Sequence, residues 1–270
     1  MRTLLLLRRE LRDSVRGYWF AVNSAIFVLG GMALMLFGQG DVQVLGYRGV
    51  ARALAALMQL ALLVVPLMAI FPSVAAVAGE RELGTLDYLL AQPITRRELY
   101  GAKWLGIGAA VGLSITLGYS VTGATAALRG VPSGMILALL GFSLLLAMVF
   151  VSSGLWVSAL SGSRAQATAL GLTLWLSLLA LGSLGLMAAF VRWGLPQWLL
   201  EAWSLVNPTE AFRIAMIAAL NPESAILGPA GASLVGRLGR PLLLALAAAS
   251  MLGWSAVAYW GGLRSFSRRI

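Results

Sequence analysis

Residues 78–103 read AGERELGTLDYLLAQPITRRELYGAK and place eight charged side chains in 26 positions of a chain that is 11% charged overall. The signs cancel, with Glu80, Glu82, Asp87 and Glu98 against Arg81, Arg96, Arg97 and Lys103. Balanced charge at this density can form ion pairs, cap helices and present a face to a soluble protein. A loop solvated among lipid headgroups is the plainer reading, and spacing alone leaves both open. A membrane-embedded lipid-modifying enzyme would want a concentrated acid/base or nucleophile set near an interface, and only Glu201, Glu210 and Arg213 come close to one.

Cysteine and histidine are absent. Zinc sites, thiol nucleophiles, haem ligation by these residues and Ser-His catalysis are therefore excluded within this chain. Met32 and Met35, at i, i+3 spacing, are of the type that holds Cu(I), but methionine is above all a filler of irregular cores. No G-x-x-x-x-G-K-[ST] stretch occurs, so the chain does not bind ATP through a phosphate loop.

Hydrophobic residues make up 60% of the chain, and the mean hydropathy is +0.87. Those values belong to an integral membrane protein. Continuous apolar runs long enough to cross ~30 Å of hydrocarbon as helix fall near 18–37, 54–78, 104–127, 134–160, 167–191 and 241–263. They do not alternate as barrel strands would, so the expected fold is all-α and polytopic, with six transmembrane helices in one domain over 1–270. None of the six contains Asp, Glu, Lys or Arg. Ion-coupled transporters usually need an ionisable group at membrane depth, so energy for active transport would come from elsewhere.

The opening MRTLLLLRRELRDSVRG has too short an apolar core for a signal peptide. Leu4, Leu7 and Leu11 share one face while Arg2, Arg9, Arg12 and Arg16 populate the rest, the pattern of an interfacial amphipathic helix. Thirteen of twenty basic residues fall at the N-terminus, in 79–103, at Arg164 and at the C-terminus, so both termini are expected in the cytoplasm. That distribution, with contact to anionic lipids, accounts for the net charge of +10 without nucleic acid.

Between the second and third spans, Leu83, Leu86 and Leu90 predict a short amphipathic helix ended by Gln92-Pro93. Thr95 to Glu98 has the form of a capping box, flanked by Ile94 and Leu99 as a hydrophobic staple. A helix starting at Arg96 and running into the third span would be a stiff lever from cytosol to membrane. The third span carries Ser114, Thr116, Tyr119, Ser120, Thr122 and Thr125, with Gly108 and Gly112 spaced as G-x-x-x-G. Close helix packing is the expected use, with a substrate path at a dimer interface as the alternative.

Residues 192–240 are too polar to span and too apolar for a free loop. Trp193, Trp198 and Trp203 suggest seating at the headgroup boundary. Asn-Pro steps at 207 and 221 suit helix starts, with Glu210 placed to complete the cap at Asn207. Short re-entrant or interfacial helices on the external face are expected before the last span.

The segment GERELGTLDYLLAQPITRRELYGAK resembles the cytoplasmic signature of permease subunits of type 2 ABC exporters, and the topology resembles that family along nearly the whole chain. The resemblance implies that Glu80, Glu82, Gly84, Thr85, Arg97 and Lys103 belong to the region coupling to an ATPase. It implies two ATPase subunits that bind ATP and Mg, no cofactor in this chain, a second permease copy as a homodimer, and a multi-pass location in a bacterial inner membrane. LVNPTEAFRI resembles NosY-like permeases, which work with an ATPase and a periplasmic protein in maturing the copper site of nitrous oxide reductase. Asn207, Pro208, Thr209, Glu210 and Arg213 become candidates for an external gate. The expected function is ATP-driven export through a permease that performs no covalent chemistry itself, with a non-transporting scaffold or assembly factor as the alternative.

Overall fold

The computed structural model describes residues 17–37, 50–90, 94–128, 130–180, 196–220 and 234–269, together with Gly182, Arg192 and Gly194. Its described elements are α1 (Tyr18–Phe37), α2 (Val50–Glu82), α3 (Thr85–Leu90), α4 (Arg96–Ala127), α5 (Ser133–Leu160), α6 (Arg164–Ala180), α7 (Gln197–Val206), α8 (Pro208–Leu220) and α9 (Arg240–Arg269). All are helical. Helices α1, α2, α4, α5 and α9 are long and apolar enough to cross a membrane, which makes this a multi-pass membrane protein. Of the expected 167–191 span, the described part is the 17-residue α6; the rest, Gly182 apart, lies outside the described residues, as do the expected amphipathic helix at 1–16 and the Asn-Pro step at 221.

Helix directions follow from which residues meet. Gly31 lies against Thr122 and Gly118 against Phe27, so α1 runs parallel to α4. Ser152 meets Ser255 and Trp156 meets Ser265, so α5 runs parallel to α9. Gly154 lies against Ser73 and Ser158 hydrogen-bonds Val74, so α2 and α5 also run together. Helices α2, α5 and α9 thus finish at one end of the bundle, where α4 and α6 begin; that end carries 80–103.

Small residues permit these approaches. A Cβ on Gly118 would sit 2.2 Å from the Phe27 ring, and one on Gly154 would sit 2.7 Å from the Ser73 side chain. Water expulsion gives helices little attraction within lipid, so contact of this closeness and interhelical hydrogen bonds hold them. Ser24 donates to Ser114 at 2.9 Å, Trp104 donates to Ser152 at 2.8 Å, and the Tyr119 and Ser143 hydroxyls lie 2.9 Å apart. The hydroxyls of Ser114, Tyr119 and Thr122 on α4 are buried, whereas Ser120 is exposed and Thr116, Ser120 and Thr125 donate to carbonyls of their own helix. Pro66 and Pro72 lie inside α2, a tolerated feature where neighbouring helices re-satisfy the backbone.

One sequence expectation is corrected. The helix that holds the expected 54–78 span runs on to Glu82, because Glu and Arg propagate a helix readily. Leu83 therefore lies in a turn and not in the short helix, which is α3. Gly84 adopts φ +68 there, a left-handed conformation that favours glycine and closes the end of a helix.

Candidate functional site: the charged end of the bundle

The last three residues of α2 point in three directions because successive helical positions are turned by about 100°. Glu80 faces α4: its Oε1 lies 2.5 Å from Lys103 Nζ. Arg81 faces α5: its guanidinium donates to the carbonyls of Ser161 and Ala159, groups left unsatisfied at the close of that helix. Glu82 faces α6: its Oε2 accepts from the Arg164 N–H at 2.8 Å, where an acid complements the helix dipole. One helix end is thereby joined to three neighbours.

Lys103, the chain's one lysine, is only 1% exposed. Burial of an ammonium is costly without a partner, and Glu80 supplies the opposite charge. One turn earlier on α2, Ser158 Oγ accepts from the N–H groups of Val77 and Ala78 and donates to the Val74 carbonyl. A side chain of α5 is thus inserted into the hydrogen-bond ladder of α2 just before the radiating residues.

Beyond the Gly84 turn, Thr85 Oγ1 donates to the Glu80 carbonyl at 3.3 Å. Leu86 of α3 is buried, whereas Leu83 is 78% and Tyr88 73% exposed. The expected capping box is present: Glu98 N–H donates to Thr95 Oγ1 at 3.2 Å, and Thr95 N–H donates to Glu98 Oε2 at 2.8 Å. Leu99 is buried and Ile94 packs on the same core, consistent with the staple. Helix α4 then continues unbroken for 32 residues. Arg96 donates to the Ser267 carbonyl at 2.7 Å, joining this start to the end of α9, while Arg97 is exposed.

The six residues singled out in this segment therefore divide. Glu80 and Lys103 hold each other inside, and Glu82 holds α6. Gly84, Thr85 and Arg97 lie on the surface. Sequence reasoning missed Arg81 and Ser158, whose partners are about 80 residues away, set Leu83 on one apolar face with Leu86 although it is exposed, and did not single out the exposed Tyr88.

The second group gathers where α7 meets α8. Helix α7 runs from just before α9 towards its middle: Glu201 pairs at 3.4 Å with Arg237, three residues before α9, and the Val206 carbonyl accepts from Trp254 Nε1. The break at Asn207 thus lies about 21 Å along α9, near half its length. Ser250 donates to the Leu205 carbonyl, so α9 satisfies the last two carbonyls of α7. Asn207 Oδ1 accepts from Thr209 N–H at 3.0 Å and Thr209 Oγ1 at 2.7 Å, and Asn207 Nδ2 donates to the Leu178 carbonyl at 2.9 Å. Pro208 is the first residue of α8, as expected. Glu210 does not complete the cap: the Asn207 N–H is taken by the Trp203 carbonyl at 2.8 Å, and Glu210 lies 3.3 Å from Arg213. Helix α8 is buried along most of its length, unlike a helix lying on a membrane surface. Among the described residues no group of three or more His, Cys, Asp or Glu is placed to hold a metal ion.

The chain matches the family model of ABC-2 family transporter proteins over residues 4–269. It belongs to that family. A probable ABC transporter permease protein NosY from Pseudomonas aeruginosa is 30% identical over 95% of this chain and 92% of its own length. A protein of the same description from Stutzerimonas stutzeri is 27% identical over 98% of each chain. The ABC-2 chain is thus the permease type of subunit, and membership implies an ABC ATPase partner.

Proposed function

We propose that this ABC-2 chain is the transmembrane permease subunit of an exporter in which ATP hydrolysis on a separate subunit drives substrate across a bacterial inner membrane. Two permease copies and two ATPases, which bind ATP and Mg, form the complex, and the charged end with both termini faces the cytoplasm. The apolar run 167–191, of which α6 is the described part, counts as the sixth span, and α7 with α8 forms a re-entrant pair entering from the opposite face. The observation that carries the reading is the divergence of Glu80, Arg81 and Glu82 onto α4, α5 and α6. A push on α3 reaches several membrane helices through one short segment, and α4 transmits it as a continuous rod. Nucleotide can drive the shift by no more than its differential affinity for the two states. Asn207, Pro208, Thr209, Glu210 and Arg213 form the external gate region.

The relatives' name supports a NosY-like reading, and on it we place the chain's work in copper-site maturation of nitrous oxide reductase, with a periplasmic partner protein. A chain without Cys or His contributes the passage and leaves metal handling to its partners. The test is co-purification of tagged chain with the ATPase encoded beside it, comparing native protein with Tyr88→Asp. Recovery of an active ATPase by native protein, and its loss in the variant with unchanged elution of the permease, is the expected result. Absence of any ATPase with the folded native protein would overturn the reading in favour of a scaffold.

A further inference from the structure

A groove of about 520 Å³ opens between α1, α2 and α6, lined by Tyr18, Trp19, Phe71, Pro72, Ala75, Arg164 and Thr168. Its two ends differ in chemistry. Near the charged end the Arg164 stem passes Gly79, whose added Cβ would lie 4.0 Å from Arg164 Cδ, and the guanidinium has no ion pair among the described residues. Thr168 Oγ1 donates to the Arg164 carbonyl at 2.9 Å and keeps its lone pairs for a donor. From Gly79 to Phe71 the floor of α2 descends about 12 Å and becomes apolar. There Trp19 and Phe71 stand edge to face, with centroids 4.8 Å apart, as a rigid wall.

We propose that this groove binds one anionic phospholipid, with its phosphate on Arg164 and an acyl chain along Ala75, Pro72 and Phe71. A cation at the mouth, exposed aromatic rings beside it and an apolar floor below reproduce the polarity of a phospholipid from headgroup to tail. Arginine suits the phosphate because its fork donates two parallel hydrogen bonds. A chain of net charge +10 enriches anionic lipid around itself and so keeps the site supplied. The bound lipid fills the gap between α1 and α6, both of which pack on α2.

The experiment is native mass spectrometry of the purified chain titrated with phosphatidylglycerol or phosphatidylcholine. Native protein should retain one phosphatidylglycerol through activation that strips phosphatidylcholine. Retention should fall about fivefold in Arg164→Gln, as loss of one basic residue at a membrane surface implies, and recover in Arg164→Lys. Ala75→Trp, which fills the floor and leaves the charge, should also lose it, so the result does not depend on one variant folding. Equal retention by native protein, Arg164→Gln and Ala75→Trp would overturn the proposal. So would displacement of the lipid by glycerol phosphate, which carries the headgroup chemistry without a tail. Because the chain has no cysteine, Asp13→Cys with Thr168→Cys offers a clean disulfide; its quantitative formation in membranes would show the N-terminal segment occupying the groove instead.

Discussion

Lys103 Nζ lies 2.5 Å from Glu80 Oε1, across the point where α4 enters the bundle against the last turn of α2. Both residues come from the charged segment, yet their charges face each other and not a partner. The pair orients the segment whose outer face carries Leu83, Gly84, Thr85 and Tyr88.

Lys103→Met leaves the Glu80 carboxylate without its buried cation. Loss of one member of a buried pair is expected to destabilise by about 3 kcal/mol, whereas Glu80→Gln combined with Lys103→Met should cost less than the sum of the two single changes. Thermal unfolding in detergent of the two single variants and the double variant measures this, and strict additivity would contradict the pairing.

Thr95→Ala removes the hydroxyl that caps α4. A loss of about 1 kcal/mol is expected, confined to the first turn. Hydrogen exchange should quicken at the Glu98 amide while the centre of α4 keeps its protection.

Gly262→Ala would place a Cβ 1.9 Å from Tyr100 Oη and 2.9 Å from its Cζ. Overpacking of this kind costs about 1–3 kcal/mol. Tyr100→Phe removes the nearer atom, so the double variant should recover part of the lost thermal stability; no recovery would mean that backbone contact with Trp156, at 3.1 Å, decides the cost.

Trp254→Phe keeps the aromatic volume at α9 but removes the N–H that caps the Val206 carbonyl. The Val206 carbonyl lies about halfway along α9, and leaving it unsatisfied there costs about 1–3 kcal/mol. Proteolysis at the α7–α8 junction, followed in membranes, should accelerate while cleavage elsewhere does not.

Much of this architecture was legible where the determinants are local. The capping box at Thr95 and Glu98 and the helix start at Asn207-Pro208 each depend on neighbours within three residues, and the apolar runs declare the spans by length. The sequence did not reveal where the charges of Glu80, Arg81 and Glu82 go, because their partners lie 23 to 82 positions away. Glu210 shows the converse: its spacing from Asn207 suits a capping box, but the preceding helix had already taken the Asn207 N–H. The continuation of α2 to Glu82 was hidden by reading the first charge as the end of a span, although a helix can leave hydrocarbon without ending.

The account rests on the Glu80–Lys103 contact transmitting partner engagement into α4. The most direct measurement is nucleotide turnover by purified permease–ATPase complexes carrying Glu80→Lys, Lys103→Glu or both. The single changes should leave the ATPase bound but abolish the permease's effect on its turnover, and the exchanged pair should restore a substantial part of that effect. Native turnover in both single variants would contradict the account.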